Sequence, residues 1–173
     1  MLRPCRSRII RVRDMMNAAV HIVLFQPEIP ANTGNIIRLC FLNNLRLHLI
    51  EPLGFSLDDA ALRRAGIDYW DRFRDQVEIH PDWEAFLARH PEAVSQALYF
   101  TARTPRSFWD IDYPDPVFLV FGRETAGLPA SFHERYAERL VTIPKRNPEG
   151  RSLNLSNAVA VAAYEAMRRS GAA

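Results

Sequence analysis

Pro116–Pro129 reads P-V-F-L-V-F-G-R-E-T-A-G-L-P. Val117 to Phe121 is an unbroken run of large apolar residues between a proline and a glycine. Such a run, without polar alternation, is the mark of a strand buried on both faces. Strands of that kind belong to parallel sheets covered by helices. The polar loop Gly122–Gly127 follows at once, with two glycines and the carboxylate of Glu124. It sits at the carboxyl end of the strand, where open α/β sheets bind their ligands.

Working outward, the same kind of run recurs. His21–Gln26 (H-I-V-L-F-Q), Leu45–Ile50 (L-R-L-H-L-I) and Ala97–Thr101 (A-L-Y-F-T) predict further strands, with shorter ones at Val77–His80 and Leu140–Ile143. Helices are predicted between them: from a cap at Asn32 or Thr33 to about Asn44, at Leu57–Ala65, from Asp82 through Trp83, Phe86 and Leu87, and at Ser131–Arg139. Asp68–Gln76 follows neither period. Alternating strands and helices predict an α/β fold: a mostly parallel sheet of about six strands with helices on both faces.

The last predicted element is a helix within Gly150–Arg169, G-R-S-L-N-L-S-N-A-V-A-V-A-A-Y-E-A-M-R-R. Leu155, Ala158, Val159, Ala162, Ala163, Ala166 and Met167 recur at helical spacing and form one apolar stripe. Ser152 and Asn154 offer side-chain oxygens to its unpaired first N–H groups. Arg168 and Arg169 suit its negative end, and Gly171 stops it. Two Ser and two Asn are more than a cap requires, which points to a ligand or another buried polar group.

The chain's 173 residues, 48% hydrophobic and 24% charged, suffice for one domain with a real core. No apolar run approaches a membrane span. Two cysteines, Cys5 and Cys40, give no disulfide framework, so a reducing cytoplasm is expected. The five histidines show no H-x-x-x-H pair, and the sequence predicts no metal. Residues 1–17 hold five Arg and one Asp, so the rest of this +2 chain is net negative. Global charge therefore gives no sign of a nucleic-acid partner. We read residues 1–17 as a basic tail outside the fold, disordered or preceding a true start at Met15 or Met16; a transit peptide or RNA-binding arm stays open. Residues 18–173 are the expected single domain.

Three loops carry chemistry. The first is Asn32-Thr33-Gly34-Asn35 with Arg38; Asn35 and Arg38 share a helix face, and a capped helix with a surface arginine would look the same. The second, Gly122–Pro129, would also serve as an ordinary strand-to-helix turn. The third, Lys145-Arg146-Asn147-Pro148-Glu149-Gly150-Arg151, holds the chain's only lysine and suits a phosphate-bearing substrate as well as a solvated surface. The chain has no P-loop, no G-x-G-x-x-G and no G-x-S-x-G. Cys40 reads as a packed core residue.

Together, in order, N-T-G-N-I-I-R-L-C, F-G-R-E-T-A-G-L-P and R-S-L-N-L-S-N-A-V-A-V-A-A-Y-E resemble the three motifs of the SPOUT-class RNA 2′-O-methyltransferases. P-E-I-P-A-N-T-G-N-I-I-R-L-C and L-R-R-A-G-I-D-Y narrow the resemblance to the tRNA wobble-nucleotide (cytidine/uridine-34) 2′-O-methyltransferases. It covers about Val20 to Gly171. It implies a deep C-terminal trefoil knot, a homodimer whose sites are completed by the partner subunit, and S-adenosylmethionine as methyl donor for the tRNA anticodon stem-loop. It implies cofactor contacts at Phe100, Thr101, Gly122, Glu124, Ile143, Ser152 and Leu153. Asn32, Arg38, Glu124, Ser152 and Asn154 are the implied catalytic positions, and Arg38, Arg123, Lys145, Arg146 and Arg151 the expected RNA contacts. The family's motif arginine, here Arg38, is often cast as the base. A guanidinium is a poor base, and a bidentate grip on phosphate suits it better. The alternatives are the same chemistry on another tRNA or rRNA nucleotide, and a knotted RNA-binding protein without catalysis. A nucleotide-dependent oxidoreductase is disfavoured by the missing glycine fingerprint.

Overall fold

The computed structural model describes residues 19–56, 74–147 and 149–170. The basic tail, the predicted helix at Leu57–Ala65 and the stop at Gly171 lie outside the described residues. The elements are β1 (Val20–Phe25), α1 (Pro30–Asn43), β2 (Arg46–Ile50), β3 (Val77–His80), α2 (Trp83–Arg89), α3 (Ala93–Gln96), β4 (Ala97–Phe100), β5 (Val117–Phe121), α4 (Ala130–Arg135), β6 (Leu140–Val141) and α5 (Leu155–Arg169). One turn of 3₁₀ helix precedes β3 and another precedes β6.

Among the described residues six strands form one sheet in the order β3-β2-β1-β5-β4-β6, and every pair is parallel. β5, wholly buried, lies beside β1 at the centre. Period-two alternation splits the core between the two faces. Ile22, Leu24, Leu47, Leu49, Leu98, Phe100, Leu119 and Phe121 join α1 and α5 on one face. Val23, Phe25, Ile50, Tyr99, Phe118 and Val120 join Trp83 and Phe86 of α2 and Phe132 of α4 on the other. Each large side chain so buried contributes about 1.5–3 kcal/mol. Tyr136 anchors the second face: its ring stacks on Tyr99 at 4.2 Å, and its hydroxyl accepts from Trp83 Nε1 at 2.8 Å. His48, fully buried against α2, is held neutral well below the usual histidine range by desolvation, with nearby positive groups adding to the effect.

Three expectations need correction. Neither Asn32 nor Thr33 caps α1: the helix begins at Pro30, whose fixed φ suits the first turn, and Ile29 at the cap position provides no side-chain bond. The predicted helix at Ser131–Arg139 divides at Tyr136 into α4 and a 3₁₀ turn. The last strand keeps only Leu140 and Val141, with a bridge from Thr142 to Ser107. α3 was missed. In α5, Asn154 caps as expected, accepting from Ser156 N–H at 2.9 Å, and the stripe is buried at Val159, Ala162, Ala163, Ala166 and Met167. No helix among the described residues is long and apolar enough to cross a membrane.

The C-terminal turn of α5 is fastened by charge. Glu165 accepts from Arg168 at 2.7 and 2.9 Å and from Arg169 at 2.9 Å, while Arg169 also donates to the Trp109 carbonyl at 2.6 Å. Hydrogen bonds from Arg168, then Arg169, outweigh burial and bring the Glu165 carboxyl down from 4.5 to about 2. A carboxyl lowered on folding stabilises fully above its unfolded value and loses that contribution as pH falls towards its folded value. Glu165→Gln is therefore expected to lower stability by about 1 kcal/mol at neutral pH. The difference should shrink below pH 4.5 and vanish near pH 2, as read by urea titrations across that window.

Candidate active site

Strands β1 and β5 are neighbours, but their following helices lead to opposite sides of the sheet: α1 to β2, α4 to β6. The divergence opens a crevice at their carboxyl ends. Glu124 fills it. Its Oε2 accepts from Glu28 N–H at 2.8 Å, and its Oε1 from Ile29 N–H at 3.2 Å and Asn32 Nδ2 at 3.0 Å. A carboxylate receiving three N–H groups is a strong, charge-assisted anchor. Asn32, 5% exposed, passes the connection on: its Oδ1 accepts from Asn154 Nδ2 at 2.8 Å. Asn154 Oδ1 in turn accepts from the Ser156 amide and, at 2.7 Å, from its hydroxyl. One chain of bonds thus joins the loop after β1, the loop after β5 and the start of α5. Because each amide oxygen has an assigned donor, both Asn side chains have a determined orientation.

The β5 loop is folded tightly to present Glu124. Arg123 and Gly127 exchange backbone bonds of 3.1 and 2.9 Å. Gly127 takes φ +70°, where glycine is favoured. A side chain on Gly122 would stand 2.2 Å from the Gly127 carbonyl carbon. Glu28 adds a second clasp that sequence reading passed over: its carboxylate accepts from the Thr125 hydroxyl at 2.7 Å and from the Thr125 amide at 3.1 Å. Those two bonds, hydroxyl first, lower its pKa. A carboxylate between Pro27 and Pro30 at a strand's carboxyl end was the available signal. Gln26 sits at φ 52°, unusual for a residue with a side chain, and accepts from Arg123.

The other expected site residues fall in two groups. Thr101 and Ile143 lie at the ends of β4 and β6, where the Thr101 amide bonds the Val141 carbonyl at 2.9 Å. The Phe100 side chain does not face a loop: it stacks on Phe121 at 4.6 Å within the core, so only its backbone reaches the strand end. Ser152, Leu153 and Arg151 lie exposed just before Asn154. Lys145 Nζ donates to the Gly150 carbonyl at 2.6 Å and closes that loop on itself; Arg146 is exposed beside it. Arg38 is not part of the Glu124 network. It is exposed on α1 beside Asn35, the face-sharing pair expected from the spacing.

Residues 19–164 match the SpoU rRNA Methylase family model. A Burkholderia cenocepacia protein named tRNA (cytidine(34)-2′-O)-methyltransferase is 49% identical over 152 residues, covering 87% of this chain and 96% of that protein. A solved structure concerned with the 2-OH methylation of C/U34 on tRNA superposes with a TM-score of 0.78 at 40% identity, over 89% of this chain and 97% of that one. An AdoMet-bound rRNA methyltransferase from Sinorhizobium meliloti gives a TM-score of 0.74 at 25% identity, over 88% and 57% respectively.

Proposed function

Because this chain belongs to the SpoU rRNA methylase family, we propose that it transfers a methyl group from S-adenosylmethionine to the ribose 2′-hydroxyl of the tRNA wobble nucleotide, C34 or U34. The observation that carries this reading is the Glu124–Asn32–Asn154 network, which gathers the three family motifs at one crevice. The relatives' names supply the nucleotide.

The residues present fit the donor. The strand ends at Thr101, Gly122 and Ile143 offer mainly backbone, Gly122 having no room for a side chain. Ile29 and Leu153, 43% and 50% exposed, flank the polar network with apolar surface suited to a nucleoside. Thr101, Gly122, Ile143, Ser152 and Leu153 are the residues that would hold it, with Phe100 contributing backbone alone. S-adenosylmethionine supplies a methyl group on a positively charged sulfur that leaves readily. The protein aligns the hydroxyl, excludes water and assists loss of its proton. Glu124 orders Asn32, Asn32 orders Asn154, and their remaining amide hydrogens can orient the ribose. Arg38 grips the target phosphate as a two-pronged donor and leaves proton acceptance to a phosphate oxygen or water. Arg123, Lys145, Arg146 and Arg151 serve as further RNA contacts at the rim.

Three finer features belong to the same proposal. Residues 18–173 form one catalytic domain, working in the cytoplasm. Its C-terminal part is a trefoil knot. In support, the loop that leaves β4 and returns to β5 embraces the end of β6: Val141 O accepts from Thr101 N–H, Thr142 N–H donates to Arg106 O at 2.8 Å, and Thr142 O accepts from Phe108 N–H at 3.0 Å. The chain then continues to α5, over the sheet centre. The protein works as a homodimer, with Arg38 reaching the second copy's site. Leu42 on α1 and Val161 and Tyr164 on α5 support this, as exposed apolar side chains on two helices that pack together.

The test is incubation of the full chain with tRNA and methyl-labelled S-adenosylmethionine, followed by mapping of the labelled nucleoside. Label on the ribose at position 34 is expected. Label at another ribose would refute the wobble assignment, and no label would refute the activity. Arg38→Lys is expected to lower turnover at least tenfold, because an ammonium cannot reproduce the fork. Full activity in that variant would refute the gripping role.

A further inference from the structure

On the sheet face away from Asn32 and α5, three adjacent strands each place a histidine toward α2: His21 on β1, His48 on β2 and His80 on β3. His90, at the end of α2, closes over them, its ring centroid 4.6 Å from that of His48 and 5.7 Å from that of His80. His48 and His80 are 0% and 3% exposed. Glu78 shares a face of β3 with His80 and lies 3.2 Å from His90 Nε2 through its Oε2. One potential ligand atom from each of His48, Glu78, His80 and His90 lies within 4.8 Å of all the others. The methyl-transfer reading uses none of these groups.

A chain of neutral imidazoles could satisfy itself along His21–His48–His80, since each ring offers one donor and one acceptor. That chain does not call for His90 and Glu78 in the same place. A tetrahedral zinc with bonds of about 2.0–2.1 Å needs donor atoms about 3.3 Å apart. Two pairs already stand at that spacing: His48 Nδ1 and His80 Nε2 at 3.2 Å, and His90 Nε2 and Glu78 Oε2 at 3.2 Å. The outer contacts are also of the right kind. Metal-binding histidines pass their second N–H to an acceptor that sets the ring. His48 Nε2 faces His21 Nδ1 at 2.9 Å, and His90 Nδ1 faces Glu92 Oε1 at 3.5 Å. Both arrangements leave the inner nitrogens as lone pairs.

We propose that His48, His80, His90 and Glu78 form a binding site for a divalent transition-metal ion of zinc's type. Three imidazoles and one carboxylate make a closed, four-coordinate set, the pattern of a structural site. The ion would tie β2, β3 and the end of α2 together. Arg89, now 2.7 Å from Glu78, has a side chain 68% exposed and can turn to solvent when the ion binds. The sequence-based expectation of a metal-free chain rested on spacing along one helix, whereas these four ligands come from three elements.

The test uses the full, tag-free chain stripped with a chelator. Titration with Zn²⁺ alone, followed by calorimetry, is expected to show about one equivalent bound with a Kd below about 1 μM, raising the thermal midpoint. Co²⁺ should give the strong visible bands of a tetrahedral ion. Glu78→Gln and His90→Gln should each weaken zinc binding at least tenfold, and zinc should raise the thermal midpoint of each, measured against its own metal-free form, by less than it raises the parent's. His133→Gln, at the one histidine outside the stack of His21, His48, His80 and His90, should bind as the parent does. The proposal is overturned if the parent binds no stoichiometric zinc, if cobalt binds with an octahedral spectrum, if both cluster variants bind as tightly as the parent, or if only His133→Gln loses the ion. Where one cluster variant fails to fold, the other decides.

Discussion

Glu124→Gln is expected to reduce the single-turnover rate of methyl transfer by about a hundredfold or more. The carboxylate accepts from Glu28 N–H, Ile29 N–H and Asn32 Nδ2 through two oxygens. A carboxamide has one oxygen, and its NH₂ would face an N–H group wherever it was turned. At least one donor loses its acceptor, at about 1–3 kcal/mol, and a former attraction becomes a repulsion. Asn32 is then no longer held, and its bond to Asn154 at 2.8 Å slackens with it. A loss of about 3 kcal/mol in positioning corresponds to about a hundredfold in rate. The Michaelis constant for tRNA should move less than kcat, because the rim arginines are untouched. Activity within threefold of the parent would show that the network does not position the reacting groups.

Gly122→Ala should be at least as damaging, by a different route. The new methyl group would lie 2.2 Å from the Gly127 carbonyl carbon and 2.3 Å from the Leu128 nitrogen. Both are backbone atoms, pinned by the Arg123–Gly127 bonds and by Leu128, which is buried at 4% exposure. Nothing there can rotate away, so the loop must open or the end of β5 must shift, at a cost of about 3 kcal/mol. Gly127→Ala is the control. Its added carbon meets nothing within 4 Å, and its φ of +70° alone should cost about 1 kcal/mol. Urea titrations of the two variants should differ accordingly, and Gly122→Ala should also lose S-adenosylmethionine binding at temperatures where it stays folded. Equal stability of the two variants would overturn the account of the loop.

What could be read in advance follows from the range of each interaction. β1 and β5 are legible because burial on both faces leaves an apolar run that no loop shares. The α5 stripe is legible because a long helix repeats its pattern over several turns. α3, at four residues, has no period to read. The break at Tyr136 follows from its ties to Tyr99 and Trp83, the latter 53 residues away. The cap expected at Asn32 or Thr33 fails for the same reason: among short polar residues near a helix start, capping is the usual local role. Here the Asn32 side chain is taken by Glu124, 92 residues on, and by Asn154, 122 residues on.

The amino-acid sequence alone determined the alternation of elements, the two-faced core and the three polar loops, since these depend on neighbours along one strand or helix. Order across the sheet depends on something else. That β1 lies beside β5 brings Glu28 and Asn32 to Glu124, and that β1, β2 and β3 lie in succession stacks His21, His48 and His80. Only the tertiary structure decided those meetings, because a hydrogen bond of about 3 Å is set by strand order and register, and no periodicity within a single element encodes either.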